Sequence, residues 1–291
     1  MFSLEKLVTI IIVSYKSKNK LISILKSIPK KIKVIIIENS YDYKLKILFE
    51  KKFNNTKIIL RKNIGYGNAI NFASNYVKTK YFYALNPDVQ IYKSTIKNLL
   101  NQAILLKGNF GVIGPVNKKS NILRKNNKKI ILLPTKLING SAMFFNKKNF
   151  KNIKGFDKNI FLYFEENDIC KKFEKKKIKM YYVLNSFIKH QGGLSSSNQN
   201  NGDNYKIKLT AAWHGQWSKY YYYKKHYGFF YAQIKCQPRL IKIIIQIILT
   251  KMTFSNKFQI YLFQLKGILN SMFGFKSYIR PENIKLYPLV K

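Results

Sequence analysis

The sequence predicts an open, mostly parallel α/β sheet flanked by helices, followed by a helical C-terminal appendage. Short β-branched runs alternate with helix-spaced segments from residue 8 to about 107, the pattern of strand–helix–strand units. From Ala211 to Phe275 the pattern turns helical. At 291 residues, 46% hydrophobic and 15% aromatic, the chain can bury a large core, which excludes general disorder.

The elements follow in order. "VTIIIVSY" (8–15) has the continuous β-branched run of a strand buried on both faces. "KNKLISILKSI" then places apolar residues at helical spacing. "IKVIIIENS" (32–40) is a second buried strand, "YKLKILFEKKF" a helix and "TKIILRK" a third strand. "GYGNAINFASNYVKT" opens a small-residue helix that leads to the strand in "YFYALNPDV". Beyond residue 108 the alternation weakens. "GVIGPVN", "LINGSAMFFNKKNF" and "KMYYVLNSFIKH" read as strands with turns, and "EENDICKKFEKKK" as a helix. Residues 191–204, "QGGLSSSNQNNGDN", read as a polar loop long enough to close over a ligand. There is no internal repeat. The expected division is a catalytic domain over 1–225 and a basic, helical, membrane-associating tail over 226–291.

With 54 Lys+Arg against 12 Asp+Glu, the formal net charge is +42. The chain is rich in Lys, Asn, Ile, Tyr and Phe together, all encoded by A/T-rich codons, so base composition accounts for much of that excess. Nucleic acid is therefore the weaker expectation and an anionic membrane surface the stronger one. The two cysteines, Cys170 and Cys236, are too few for a disulfide framework and fit a reducing compartment. The apolar run Leu7–Val13 is followed by no small-residue cleavage site and reads as a strand, not a signal peptide. No apolar stretch has the length that a membrane-spanning helix needs. The expected location is cytoplasmic, peripheral on the inner face of the plasma membrane.

In open α/β sheets ligands gather beyond the C-terminal ends of the strands. Those ends here carry Ser14-Tyr15, Glu38-Asn39-Ser40, Arg61-Lys62-Asn63 and Asn86-Pro87-Asp88. Asp88 suits a divalent cation shared with a phosphate; "NPD" is equally an ordinary turn. Gly65 and Gly67 permit close backbone approach at a helix start, where phosphate binds; they also suit a simple glycine turn. Glu38 can accept hydrogen bonds from a base or ribose, or it can sit in a surface turn. His190, at the end of a strand, can meet a metal or a diphosphate, or serve as a structural imidazole. "FLYFEENDIC" (161–170) concentrates Glu165, Glu166 and Asp168 in an acid-poor chain, with Asp157 upstream. Acids favour a helix start, which explains one or two of them. Clustered carboxylates also raise one another's pKa, as a general base requires. Glu165 and Asp168 share a helix face and Glu166 points elsewhere.

Taken in order, these pieces resemble the family 2 glycosyltransferases, inverting enzymes of the GT-A fold, in the style of bacterial rhamnosyltransferases of surface polysaccharide synthesis. The matching segments are "VTIIIVSYKS", "IIIENS", "KNIGYGNAINFA", "LNPDV", "INGSAMFFNKKNFKNIKGFDKNIFLYFEENDICKKF" and "IKHQGGLSSS", spanning roughly residues 7 to 197. The resemblance implies a nucleotide-diphosphate sugar donor, dTDP- or UDP-linked, and Mg²⁺ or Mn²⁺ held by Asp88 and His190. It implies Glu166 as catalytic base, with Glu165 beside it. Ser14, Tyr15, Glu38, Asn39, Asn63, Gly65, Gly67, Asn68, Asn86, Asp88, Gly140 and Ser141 form the implied donor site. The acceptor would be a lipid-linked saccharide or a growing polysaccharide. Three positions depart from the family pattern: Glu38 and Glu166 stand where Asp is usual, and Asn86 replaces an acid. They keep open an alternative, a catalytically inactive sugar-nucleotide or polysaccharide binding protein of the same fold. A nucleotidyltransferase would need a glycine-rich phosphate loop near residue 15, which "SYKSKNK" does not supply.

Overall fold

The computed structural model describes residues 4–118, 120, 130–190, 201–253, 255 and 257–285. It divides into two compact units, one of Met1–Asp157 with Glu166–Ser197, the other of Lys158–Glu165 with Asn198–Lys291.

The first unit is a mixed sheet with helices on both faces. A short helix α1 (Leu4–Leu7) leads into β1 (Val8–Ser14), which is buried along its whole length. Then come α2 (Lys18–Ser27), β2 (Lys33–Glu38), α3 (Tyr43–Lys52), β3 (Thr56–Leu60), α4 (Tyr66–Ser74) and β4 (Tyr81–Leu85). The second half adds β5 (Val89–Ile91), α5 (Thr95–Leu105), β6 (Val112–Asn117), β7 (Leu132–Pro134), β8 (Ala142–Asn146), α6 (Lys147–Asn152), α7 (Glu165–Lys175) and β9 (Met180–His190). The strand order is β3-β2-β1-β4-β8-β6-β9-β5, with β7 paired to β9.

Strands β3, β2, β1 and β4 run parallel, as the β-branched runs predict. β8 enters antiparallel between β4 and β6, and β5 and β7 pair antiparallel with β9. The chain leaves β1 for β2 on one side, and β4 returns to the other side of β1. That reversal opens a crevice at the C-terminal ends of β1 and β4, where such sheets bind ligands.

Strand alternation divides the core in two. Ile10, Ile12, Ile36 and Tyr83 face one apolar layer with Leu21, Phe49 and Leu99 of α2, α3 and α5. Ile11, Val13, Ile37 and Phe82 face the other, with Ile70 of α4, Phe150 of α6 and Phe173 of α7. Local caps set several helix starts. The Asp42 side chain accepts from Leu45 N at 2.8 Å, and the Asn146 side chain accepts from Asn149 N at 3.2 Å.

The second unit is helical: α8 (Asn201–Tyr227), α9 (Phe229–Met252) and α10 (Phe258–Met272), then a 3₁₀ turn at Pro281–Asn283. Residues 201–204, expected in the polar loop, instead begin α8; residues 191–200 of that loop lie outside the described residues. α8 and α10 approach closely at Gly267, where a Cβ would stand 2.2 Å from the Trp213 carbonyl oxygen. Buried Tyr220, Ala232, Cys236 and Ile268 form its small core. Among the described residues no helix is long and apolar enough to cross a membrane.

Candidate active site

At the C-terminal ends of β1 and β2, Ser14 stands beside Glu38 in the parallel register, and Asn39 N donates to Ser14 O at 2.8 Å. Glu38 is fully buried. Its Oε1 accepts from the Ser40 N–H at 2.9 Å and from the Ser40 hydroxyl. Burial holds the Glu38 carboxyl above the ordinary range, an effect eased by Ser14 and Ser40. The Ser14 hydroxyl lies close enough to favour the carboxylate, but not in hydrogen-bond geometry. Glu38 Oε2, Ser14 Oγ and Asn39 Oδ1 are thus buried acceptors or donors without a partner among the described residues. Tyr15 is half-buried and precedes Lys16, which takes a left-handed φ of 50° as the chain leaves β1.

Asp88 lies in the turn after β4, in which Val89 N donates to Asn86 O at 3.3 Å. The antiparallel register of β5 with β9 sets Val89 opposite His190. His190 Nε2 therefore lies 3.5 Å from Asp88 Oδ2. Asp88 Oδ1 is buried without a partner among the described residues. One carboxylate and one imidazole suit a hard divalent cation whose other ligands are phosphate oxygens and water. Among the described residues, no group of three or more His, Cys, Asp or Glu could hold a metal unaided.

The start of β8 joins this turn to the acids of α7. Asn86 N donates to Ser141 O at 2.9 Å, and Ser141 N donates to Asn139 Oδ1 at 2.9 Å. Ser141 Oγ is buried without a partner among the described residues. Tyr66 Oη donates to Gly140 O at 2.7 Å. A Cβ on Gly140 would lie 3.3 Å from Glu166 Cβ and 3.5 Å from Glu166 Oε2. The β8 loop thus touches the Asn86–Asp88 turn through Ser141 and Glu166 through Gly140.

The three acids of α7 differ in access. Glu165 and Asp168 are buried, whereas Glu166 is only half-buried. Burial holds the Glu166 carboxyl above its ordinary range. Burial likewise pushes the Cys170 thiol, one turn on, up to about 12, with Glu166 adding to the rise. Tyr163 and Phe164, just ahead of α7, both have a φ of 65°. Consecutive left-handed side-chain-bearing residues are strained, and such strain gathers at functional loops.

The glycine segment has a different physical role at each position. Gly65 has a φ of 85°, which favours glycine, and its N–H donates to Asn63 Oδ1 at 3.2 Å. Asn68 donates to Ile64 O at 3.1 Å, tightening the same turn. Gly67 faces Phe156, whose Cβ would be 2.9 Å from an added Cβ. Asn71 completes that contact: it donates to Phe156 O at 3.0 Å and accepts from Phe156 N at 2.8 Å. α4 therefore clamps the "GFD" segment as well as opening the strand-end loop.

Sequence reasoning missed Tyr66, Asn71, Asn139 and Lys20, the last with a buried Nζ near Asp88. Tyr66 and Asn71 lie within a quoted segment, but nothing in their spacing marks a bond to a residue 74 or 85 positions away. A broad lysine-lined groove lies at the opposite edge, at the N-terminal ends of β4, β6 and β9, and among the described residues its lining holds no acid or histidine.

The family model "Glycosyl transferase family 2" matches residues 9–166, from β1 to Glu166. No curated protein matches the chain. Among solved structures, the mannosyltransferase PcManGT from Pyrobaculum calidifontis, in complex with GDP-Man and Mn²⁺, superposes with a TM-score of 0.55 at 11% identity, covering 91% of this chain and 86% of that one. S. aureus TarS 1–349 in complex with UDP-GlcNAc gives 0.51 at 14% identity over 91% and 89%. GalNAc-T7 with UDP, GalNAc and Mn²⁺ gives 0.53 at 13% identity over 75% of this chain; the chain spans 49% of that protein's length. These likenesses confirm the fold, and the family match runs through the strand ends and up to Glu166: the chain belongs to glycosyl transferase family 2.

Proposed function

We propose that this protein is an inverting glycosyltransferase that moves a sugar from a nucleotide-diphosphate donor to a hydroxyl of a lipid-linked or growing surface-polysaccharide acceptor. The observation that carries the reading is the row of buried polar atoms along one sheet edge that have no partner among the described residues: Ser14 Oγ, Glu38 Oε2, Asn39 Oδ1, Asp88 Oδ1 and Ser141 Oγ. Buried polar atoms are normally bonded. Their convergence at the β1/β4 crevice fits a polar ligand that supplies the missing partners.

In this reading Ser14, Tyr15, Glu38 and Asn39 take the nucleoside, an assignment supported by the depth of Glu38 and its free oxygen. Asn63, Gly65 and Asn68 shape the loop over it, and Gly67 holds α4 against Phe156. Asp88 and His190 would hold Mg²⁺ or Mn²⁺. Such an ion supplies Lewis-acid neutralisation of the diphosphate as it leaves.

Glu166 is the base. Its half-buried carboxylate takes the proton of the acceptor hydroxyl. The oxygen attacks the anomeric carbon from the side opposite the diphosphate. As the new C–O bond forms, the bond to the diphosphate oxygen breaks and its electron pair leaves with the phosphate, so the configuration inverts. Gly140 leaves Glu166 room, and Tyr66 fixes the Gly140 carbonyl. The buried Glu165 and Asp168 fit a supporting role better than proton transfer.

A membrane-bound acceptor is supported by α9. Phe230, Ile234 and Met252 are 81%, 73% and 73% exposed, and Ile241, Ile245 and Ile248 are also exposed. At helical spacing these lie on one stripe, opposite buried Ala232, Cys236 and Ile243. Lys235 and Lys242 border one side of the stripe and Lys251 the other. An apolar face bordered by lysines suits the headgroup–acyl boundary of an anionic bilayer.

The test is a panel of UDP-, dTDP- and GDP-sugars, dTDP-rhamnose included, assayed for donor hydrolysis with added Mn²⁺. Release of one nucleoside diphosphate supports the enzyme. Binding without turnover, with any acceptor class, would make it a binding protein instead.

A further inference from the structure

Lys20 sits in the first turn of α2, and α2 packs against β5, the strand that begins one residue after Asp88. Its Nζ is buried and has no hydrogen-bond partner among the described residues. The charge of Asp88 acts on it, so the ammonium lies near that carboxylate without a hydrogen bond to it. Burial, the larger influence, pushes its pKa down. A buried ammonium with three unused donors is costly unless an anion meets it. Asp88 Oδ1 likewise has no partner among the described residues. The two groups lie close together beside the strand-end crevice and do not satisfy each other.

Charge indicates what fills it. The diphosphate bridge of a nucleotide sugar carries about two negative charges, and bound divalent ions are among the largest local charges in such a site. Asp88 adds one further negative charge, and its neighbour Asn86 is neutral. A divalent ion at Asp88 balances only the bridge. One more fixed positive charge would balance the site, and the Lys20 ammonium beside Asp88 is placed to provide it.

We infer that Lys20 binds the donor diphosphate directly, beside Asp88, as a fixed cation that works with or without the metal. This inference rests on the donor-site reading above. An ammonium donating to phosphate is a charge-assisted bond that strengthens as the leaving group gains charge.

The experiment is calorimetric titration of UDP, dTDP and GDP, and of the parent nucleosides, into wild type, Lys20→Met and Lys20→Arg, each in Mn²⁺ and in EDTA. Melting curves check that the variants are folded. Lys20→Met should weaken binding of the preferred diphosphate about 10-fold or more in both conditions, while nucleoside binding stays unchanged. Lys20→Arg should restore a large part of the affinity. Equal diphosphate affinity in folded Lys20→Met and wild type would overturn the role of Lys20 alone. Equal loss of nucleoside and diphosphate binding, without rescue by Arg, would reduce Lys20 to a packing residue and overturn it as well. Failure of wild type to bind any of the three diphosphates would instead overturn the donor-site reading, and the inference with it.

Discussion

Gly140→Ala tests whether the β8 loop sets the position of the base. The new methyl carbon would stand 3.3 Å from Glu166 Cβ and 3.5 Å from its Oε2. Relaxed carbon contacts lie at about 3.5–4.0 Å, so Glu166 must retreat by a few tenths of an ångström. A misplacement of about 1 Å can cost on the order of 10²-fold. A shift of roughly a third of that predicts a fall in kcat of about 3–10-fold. The strain is small, on the order of 1 kcal/mol, so melting should drop by only a few degrees. Donor KM should hold, because the Glu38 and Asp88 ends of the site are untouched. Steady-state transfer kinetics beside a thermal melt separate these effects. A folded Gly140→Ala enzyme with wild-type kcat, or one that loses donor affinity at constant kcat, would refute the placement of Glu166 against this loop.

Asp88→Asn should remove Mn²⁺ stimulation of donor binding while leaving the secondary structure intact; a metal titration that overlays wild type would contradict the metal assignment. His214 is fully buried, with Nε2 2.8 Å from Ile279 O, and burial lowers its pKa to about 4. Its unfolded value is near 6.5, so the unfolded chain gains the proton first as pH falls, and stability is lost from about pH 6.5 down to about pH 4. Urea unfolding should show His214 costing about 2 kcal/mol between pH 7 and pH 5, a slope that His214→Phe removes; an unchanged slope would contradict a buried neutral imidazole. Ile241→Glu with Ile245→Glu should weaken binding to anionic vesicles about 10-fold or more, and added salt should weaken the wild type. Salt-independent binding that tolerates both substitutions would contradict the membrane-facing role of α9.

The parallel half of the sheet was legible because its strands are buried on both faces. "VTIIIVS" and "KVIIIE" leave little ambiguity of period, and β1 and β2 end within a residue or two of the expected positions. β7 was not legible. It is the short strand Leu132–Pro134, and its pairing depends on β9, which the chain reaches only after β8, α6 and α7. The start of α8 was missed because "NGDN" has turn chemistry, yet it is the first turn of a long helix. Within the site, strand-end polar residues were readable from position alone. The separate fates of neighbouring acids were not: helical spacing set Glu166 apart from Glu165 and Asp168, but only the folded chain shows Glu166 as the accessible one. Lys20 was invisible among 54 basic residues. Its meaning comes from a buried Nζ without a bond, a property no local pattern carries.

The central claim is that Glu166 accepts the acceptor's proton. The direct measurement is the pH dependence of sugar transfer at saturating donor in wild type, Glu166→Gln, Glu165→Gln and Glu166→Asp. Only the ionised base is active, and burial raises its pKa, so wild-type kcat should rise with pH through a limb above the ordinary carboxylate range. Glu166→Gln should lose about 10²–10⁴-fold together with that limb, at nearly unchanged donor affinity. Glu165→Gln should keep the limb, and Glu166→Asp should keep it at an altered rate. Normal transfer by Glu166→Gln beside a dead Glu165→Gln would contradict the account, because the base would then stand one residue earlier.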